Sequence, residues 1–388
     1  MKNKNARLYV ICGYLLLFAL GFIASGNQLV LMEVAEEFKL DGTGMGILAA
    51  MQFCGMIPAT LLFGGLTDRM SKKRILCIFG GVVVGGTAVG FFASAAFMVA
   101  LSIFIYGVGL ALVNGTVAAA LMETAPEKSN TFTNVSQIFF AIGSVISPVV
   151  LGKLLEGGMN WRGHFAIGAG MFALVLVLFS LTKYKALVPQ KPAKAQKKQG
   201  GKAFGLLMLL MALSIGMYVA MENGQVYFTK PYFITELKDE ANAALSISLI
   251  WLCMIPSRLL AARVHKRKML LVCGCFLVAS AACLLNALVR VKGLALAWSC
   301  LFGLAAGPVF PTIMSAAMDA HPGHTGRASN LLLTFAGIFG MASNIGLGTA
   351  MDAFGMGNSF YMVAAFAALG AVLFFVAGGK AKKKGIAL

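Results

Sequence analysis

The amino-acid sequence predicts an all-α membrane protein of twelve transmembrane helices, arranged as two pseudo-symmetric six-helix bundles with both termini cytoplasmic. Three observations carry that prediction. Of 388 residues, 59% are hydrophobic and only 12% charged, against roughly 45–50% and about 25% in soluble domains, so a soluble globular protein is excluded. The apolar residues come in runs of about 20, the length of helix that crosses a bilayer core, and the chain has room for about twelve of them with short loops. The second half of the chain also repeats features of the first at an offset near 196–198 residues.

In chain order, the runs bounded by charge or turn residues fall near 8–34, 44–67, 74–93, 97–122, 131–155, 163–184, 204–234, 242–263, 268–289, 293–318, 328–351 and 357–378. The first continues past Leu31 without a small-residue cleavage pattern, so it reads as a retained helix rather than a signal peptide. The second ends in a basic loop carrying Arg69, Lys72, Lys73 and Arg74. After the sixth comes KALVPQKPAKAQKKQGGKA (185–203), the one extended polar segment, which reads as a basic cytoplasmic linker near anionic headgroups. It divides the chain into an N-terminal six-helix bundle, 1–184, and a C-terminal bundle with a basic tail, 204–388. The eighth helix again ends in a basic loop, with Arg263, Lys266, Arg267 and Lys268.

Charge sets the orientation. The net charge of +18 does not mark a nucleic-acid binder, because the basic residues punctuate apolar runs instead of gathering on a polar face. With the N-terminus inside, 24 of the 32 Lys and Arg fall in inner segments and seven in outer ones, while Arg258 lies within a helix. The eight cysteines all fall in helices and read as small apolar side chains. No Gly-Lys-Ser/Thr phosphate loop occurs, which argues against an ATP-driven pump. The histidines, His164, His265, His321 and His324, lie at helix ends near loops, so no catalytic cluster is expected, and no metal site either. No signalling domain marks a receptor.

The repeat specifies architecture. Met56-Ile57-Pro58 recurs as Met254-Ile255-Pro256, and Pro126, Asn134, Phe139, Ile142 and Gly152 recur as Pro322, Asn330, Phe335, Ile338 and Gly348. Glu123 and Asp319 are acidic counterparts. Two parallel six-helix halves make a transporter with a site near mid-membrane.

At Gly64-Gly65-Leu66-Thr67-Asp68-Arg69-Met70-Ser71-Lys72-Lys73 the chain resembles the major facilitator superfamily, whose loop after helix 2 reads G-x-L-a-D-R-x-G-R-K; Ser71 stands where glycine is usual. The resemblance covers essentially the whole chain and implies that superfamily's fold. It also implies a conformational gate of Gly64, Asp68, Arg69, Lys72 and Lys73, with Glu123, Asp319 and Arg327 alongside. Trp161-Arg162-Gly163-His164-Phe165 is similar to the superfamily's W-R-x-x-F element, read as an interfacial anchor. Three stretches look most like the sugar-symporting fucose-permease group: GNQLVL, VNGTVAAALMETAPEKSNTFTNVSQIFFAIG and GPVFPTIMSAAMDAHPGHTGRASNLL. That likeness places Gln137 toward sugar, and it puts Gln28 and Asn114 where the fucose symporter has carboxylates thought to carry protons.

Polar side chains inside spans are costly and mark function. Asn27, Gln28, Asn114, Gln137, Asn223, Gln225, Arg258 and Asn330 are the expected solute-binding residues, because amides offer the paired donors and acceptors that hydroxyls need; the alternative is that they only bond neighbouring helices. Asn286, on a peripheral helix, reads as interhelical glue. Glu222 is the one acid well inside a span, beside Gly224 at a place where transporter helices often break, and reads as the proton-coupling residue. Counting ~1.5 Å per residue separates it from Arg258 by roughly 20 Å in depth, so the two are expected to act separately. Arg258 resembles the helix-8 arginine of monocarboxylate and oxalate–formate carriers, or else pairs with helix-end carbonyls or Asp319.

The expected function is secondary transport, by alternating access, of a small hydrophilic solute of the sugar kind across the cytoplasmic (inner) membrane, coupled to protons. The alternatives are an organic-anion carrier using Arg258, or an efflux antiporter. Gly143-Ser144-Val145-Ile146-Ser147-Pro148 partly matches the antiporter G-x-x-x-G-P element, but helix 4 lacks the arginine many proton-driven exporters carry. No enzyme activity and no cofactor are expected, only a proton gradient. The expected partners are the solute and the lipid bilayer, with no nucleic acid, and the functional unit is expected to be a monomer.

Overall fold

The computed structural model describes residues 4–63, 66, 70–124, 129–182, 205–261, 264, 267–321 and 325–383. The described residues are helical: α1 Lys4–Leu29, α2 Leu31–Glu37, α3 Gly42–Phe63, α4 Lys72–Phe91, α5 Ala96–Thr124, α6 Ser129–Glu156, α7 Arg162–Leu181, α8 Leu206–Thr235, α9 Glu240–Ala261, α10 Lys268–Leu288, α11 Lys292–Ala306, α12 Val309–Ala320, α13 Thr325–Phe354 and α14 Met356–Lys383. Among them are twelve spans long and apolar enough to cross a membrane, α11 and α12 together making the tenth. Large apolar side chains stand on the surface, Leu62 72% exposed and Leu270 66%, as lipid rather than water around the helices requires.

Two of the expected helices are interrupted. The first, expected over 8–34, turns at Val30 (φ −84°, ψ 1°) into the acidic α2. Hydrogen bonds from Val30 N to Gly26 O and from Val34 N to Val30 O run through the turn, so it is a kink and not a loop. The tenth, expected over 293–318, breaks between α11 and α12 at Gly307-Pro308, where proline has no N–H to continue the ladder.

The chain forms two compact units. One comprises Met1–Phe38 and Met51–Gly200, the other Lys39–Ala50 and Gly201–Leu388. In the first unit α1 lies on α6 at backbone contact: a Cβ at Gly21 would collide with the Phe140 carbonyl, and one at Gly143 with the Phe18 carbonyl. Side-chain hydroxyls then bond across the seam, Ser144 Oγ to Gly21 O (3.2 Å) and Ser147 Oγ to Phe22 O (2.7 Å). Small residues let helices approach in lipid, where the hydrophobic effect no longer drives them together. In the second unit α8 is buried along almost its whole length, Leu207 to Phe233.

Each unit carries a charged clamp at the ends of its helices. In the first, Arg162 binds Glu37 with two nitrogens (2.6 and 2.9 Å) and the Ala93 carbonyl through Nε (2.8 Å), while Trp161 Nε1 donates to Glu37 (2.7 Å). In the second, Arg290 binds Glu236 (2.9 Å) and Asn358 (2.9 Å). Asn358 is the repeat counterpart of Arg162, 196 residues on, and Glu236 lies 199 after Glu37. The acid lies close to its repeat position, while the arginine comes from the first turn of α7 in one half and from the α10–α11 connection in the other. Trp161 is therefore not a lipid-interface anchor: it is 4% exposed and held by the clamp.

Candidate functional site

In the second unit, α8 and α9 are antiparallel neighbours joined by a short turn at 236–239. Glu222 lies 13 residues before the end of α8 and Arg258 lies 18 after the start of α9, so their levels differ by about five residues, ~7.5 Å, which two long side chains can bridge. Arg258 Nη2 is 3.8 Å from Glu222 Oε1. The expected 20 Å separation is thus corrected: it measured from opposite faces of a bilayer-thick slab, whereas α8 runs 30 residues, ~45 Å.

The pair is built by its neighbours. Tyr218, one turn before Glu222, is buried and donates its hydroxyl to Glu222 Oε1 at 2.6 Å. Arg258 donates through Nε to the Gly307 carbonyl at 3.1 Å and lies 3.7 Å from Met254 Sδ. That carbonyl is available for a reason written in the sequence. In a continuous helix Gly307 O would bond the N–H of residue 311, but residue 311 is proline and has none. Phe310 sets its ring 5.9 Å from that of Tyr218. The side chains of Arg258 and Glu222 are 26% and 17% exposed, so both can meet a ligand. The sequence reading missed Tyr218 and the Gly307 carbonyl; the i−4 spacing to Glu222 and the proline four residues after Gly307 were the available signals. Gly224 breaks nothing, since α8 continues through it and its missing side chain makes room for Leu347 and Val363.

The other expected residues of this unit serve elsewhere. Asn223 Nδ2 bonds the Val219 carbonyl (2.8 Å). Gln225 is fully buried, donating to Thr229 Oγ1 (3.0 Å) and accepting from Cys283 of α10 (3.4 Å). Asp319, offered as a partner for Arg258, pairs with Lys268, which also donates to Ser315 Oγ (2.8 Å). Asn286 contributes its backbone carbonyl, to Tyr232 (2.5 Å), while its side-chain oxygen has no partner among the described residues.

In the first unit, Asn114 of α5 and Gln137 of α6 come together, Gln137 Nε2 donating to Asn114 Oδ1 at 3.4 Å, and both are partly exposed. Beside Asn114, Gly115 faces open space. Tyr14 of α1 stacks on Phe139 of α6, centroids 4.9 Å apart and planes at 6°. Asn27 is buried, its Oδ1 3.0 Å from His164 Nε2. An amide oxygen only accepts, so Nε2 carries the proton. His164 is thus buried against α1 from the first turn of α7, at a helix end as expected. Gln28 is buried, and so is Lys72; Lys73 Nζ donates to the Thr182 carbonyl (2.5 Å) at the end of α7. Gly64, Asp68 and Arg69 lie outside the described residues, as do the side chains of Glu123, Asn134, Arg327 and Asn330.

Twelve apolar spans among the described residues, with a partly exposed polar cluster in each unit, suit solute passage. Over residues 10–346 the sequence matches the Major Facilitator Superfamily. The chain is a member of that superfamily. As a superfamily transporter it is no enzyme, and it is a multi-pass membrane protein. It is 25% identical over 386 residues to the glucose/galactose transporter of Brucella abortus biovar 1 (strain 9-941), covering 93% of this chain and 92% of that one. Among solved structures, a bacterial homologue of the human lysosomal transporter Spinster, in an inward-facing and unoccupied conformation, superposes with a TM-score of 0.79 at 14% identity, covering 98% of each chain. The E. coli fucose:proton symporter superposes at 0.64 and 19% identity, covering 95% of this chain and 99% of that one. At those identities the structural likeness establishes the superfamily fold.

Proposed function

We propose that this transporter is a proton-coupled symporter of a small, neutral, hydrophilic solute of the sugar class, acting by alternating access. The observation that carries the coupling is the Glu222 carboxylate, held by Tyr218 and countered by Arg258 inside a membrane-spanning helix pair. A carboxylate there binds a proton or an arginine, and exchanging one for the other ties protonation to the position of α9. The sugar reading rests on the Asn114–Gln137 amide pair beside open space, on the Tyr14–Phe139 stack, and on the full-length relative that carries glucose or galactose. An amide pair donates and accepts at once, as a hydroxyl-bearing ligand requires.

Gly64, Asp68, Arg69, Lys72 and Lys73, with Glu123, Asp319 and Arg327, are assigned to the gate. The location is the cytoplasmic membrane with both termini inside; the working unit is the monomer, fuelled by the proton gradient with no cofactor. Efflux is disfavoured because Ser144 and Ser147 of the G-x-x-x-G-P-like element bond α1 carbonyls.

The test is uptake of radiolabelled glucose or galactose into proteoliposomes. Glu222→Gln is expected to abolish accumulation driven by a proton gradient while sparing counterflow exchange. Undiminished accumulation would remove Glu222 from the coupling role.

A further inference from the structure

We propose that Cys253 and Cys300 form a two-thiol site within the spans that takes a trivalent organoarsenical, and that the resulting S–As–S bridge ties α9 to α11 and stops transport. The second half of this statement rests on the reading above that α9 moves in the transport cycle.

A seam of small residues brings the two thiols together. A Cβ on Gly303 of α11 would fall 2.4 Å from the Ile250 carbonyl oxygen and 3.0 Å from Cys253 Cβ, both on α9, and one on Gly307 would fall 2.7 Å from the Met254 carbonyl oxygen. The helices therefore meet at backbone contact, as small residues permit in lipid. Cys300 lies three residues before Gly303, one turn back on the same face. Its thiol and that of Cys253 are hydrogen-bonded to each other, and both residues are partly exposed, so a small reagent can reach them. Cys273 and Cys283 are placed differently: the first donates to the Ala371 carbonyl (3.5 Å) and the second to Gln225 Oε1 (3.4 Å). Cys273 and Cys275 share a helix but, two residues apart, do not face each other.

The surroundings select the ligand. Cys253 lies 13 residues after the start of α9 and Cys300 eight after the start of α11, ~20 Å and ~12 Å into their spans, where creating a charge is costly. A bare soft cation would release two protons there, and a disulfide would need an oxidant. A trivalent arsenoxide, R–As=O, needs neither. Each sulfur forms one As–S bond, the As=O bond breaks, and the oxygen leaves as water carrying both thiol protons. Every species is neutral, and arsenic stays trivalent, so nothing is oxidised or reduced. The bridge would act on the polar site through the same seam. Arg258, five residues after Cys253, bonds the Gly307 carbonyl across it, so tying Cys253 to Cys300 fixes α9 against α11 where that contact is made.

The probe is phenylarsine oxide, applied to the full-length protein in proteoliposomes, with uptake of radiolabelled glucose or galactose as one readout and peptide mass mapping as the other. The wild type is expected to take up one arsenic, mapped to Cys253 and Cys300, and to lose uptake at least tenfold, both effects being reversed by 2,3-dimercaptopropanol. Cys253→Ala and Cys300→Ala are each expected to transport as the wild type does without the reagent, and to need at least tenfold more of it for the same inhibition. If either alanine variant does not fold, the serine variant at that position takes its place. Arsenic mapped to other cysteines, or equal sensitivity in both variants, overturns the site and leaves the transport reading untouched. An adduct on both cysteines with uptake intact overturns the tie between helices, and with it the movement given to α9. A wild type that carries neither sugar sinks the sugar reading instead. The arsenic map then decides the pair, and the thermal midpoint in detergent decides the tie: a rise on bridging supports it, and an unshifted midpoint refutes it.

Discussion

Glu37 shows how much a single side chain does at the end of a helix bundle. It accepts from Arg162 and from the buried Trp161 indole, and these hydrogen bonds, Arg162's first, hold its carboxyl below the usual glutamate range. A lowered carboxylate stabilises the fold above its ordinary titration range, and that contribution is lost as pH falls through the lowered value. Glu37→Gln is therefore expected to cost about 1 kcal/mol, the discounted size of a surface pair, at any pH from 8 to 5. The two proteins should converge in thermal midpoint as pH falls through that lowered value. A gap that widened in acid would mean that the clamp does not act through the Glu37 charge.

At the scale of elements, prolines and glycines decide where helices stop and touch. Pro311→Ala would return an N–H to the Gly307 carbonyl and so compete with Arg258 for it. The protein should stay as stable or become more so, while solute affinity falls several-fold; unchanged affinity would show that this carbonyl does not position Arg258. Gly143→Val would push α6 off the Phe18 carbonyl of α1. An overpacked seam of this kind costs about 1–3 kcal/mol, to be read as a lower thermal midpoint in detergent, and an unshifted midpoint would contradict the close approach.

For the molecule as a whole, the distribution of charge is what sets topology. With 24 of 32 basic residues in the expected inner segments, a protease-cleavable tag appended after Leu388 is expected to be cut in inside-out vesicles and spared in intact cells. Cleavage in intact cells would invert the assignment of sides. The spans, their number and the repeat were all legible in the sequence, because burial in lipid demands an apolar run for each crossing and leaves little freedom in its length. Kinks at Val30 and Gly307-Pro308 were not resolved by hydropathy, which averages over about 20 residues.

By itself the sequence determined the membrane class, the twelve spans, the superfamily and the short roster of intramembrane polar residues, since each follows from local composition or from motif. Only the tertiary structure decided which of those residues work together. Glu222 and Arg258 were separated by arithmetic along two helices, but the fold pairs them, because side-chain reach and the shared α8–α9 turn matter more than position in a slab. Asn114 met Gln137, whereas Asn27 went to a buried histidine and Gln225 to a cysteine. Which way an amide faces depends on helix rotation and on the neighbour it meets, and no residue carries that information alone.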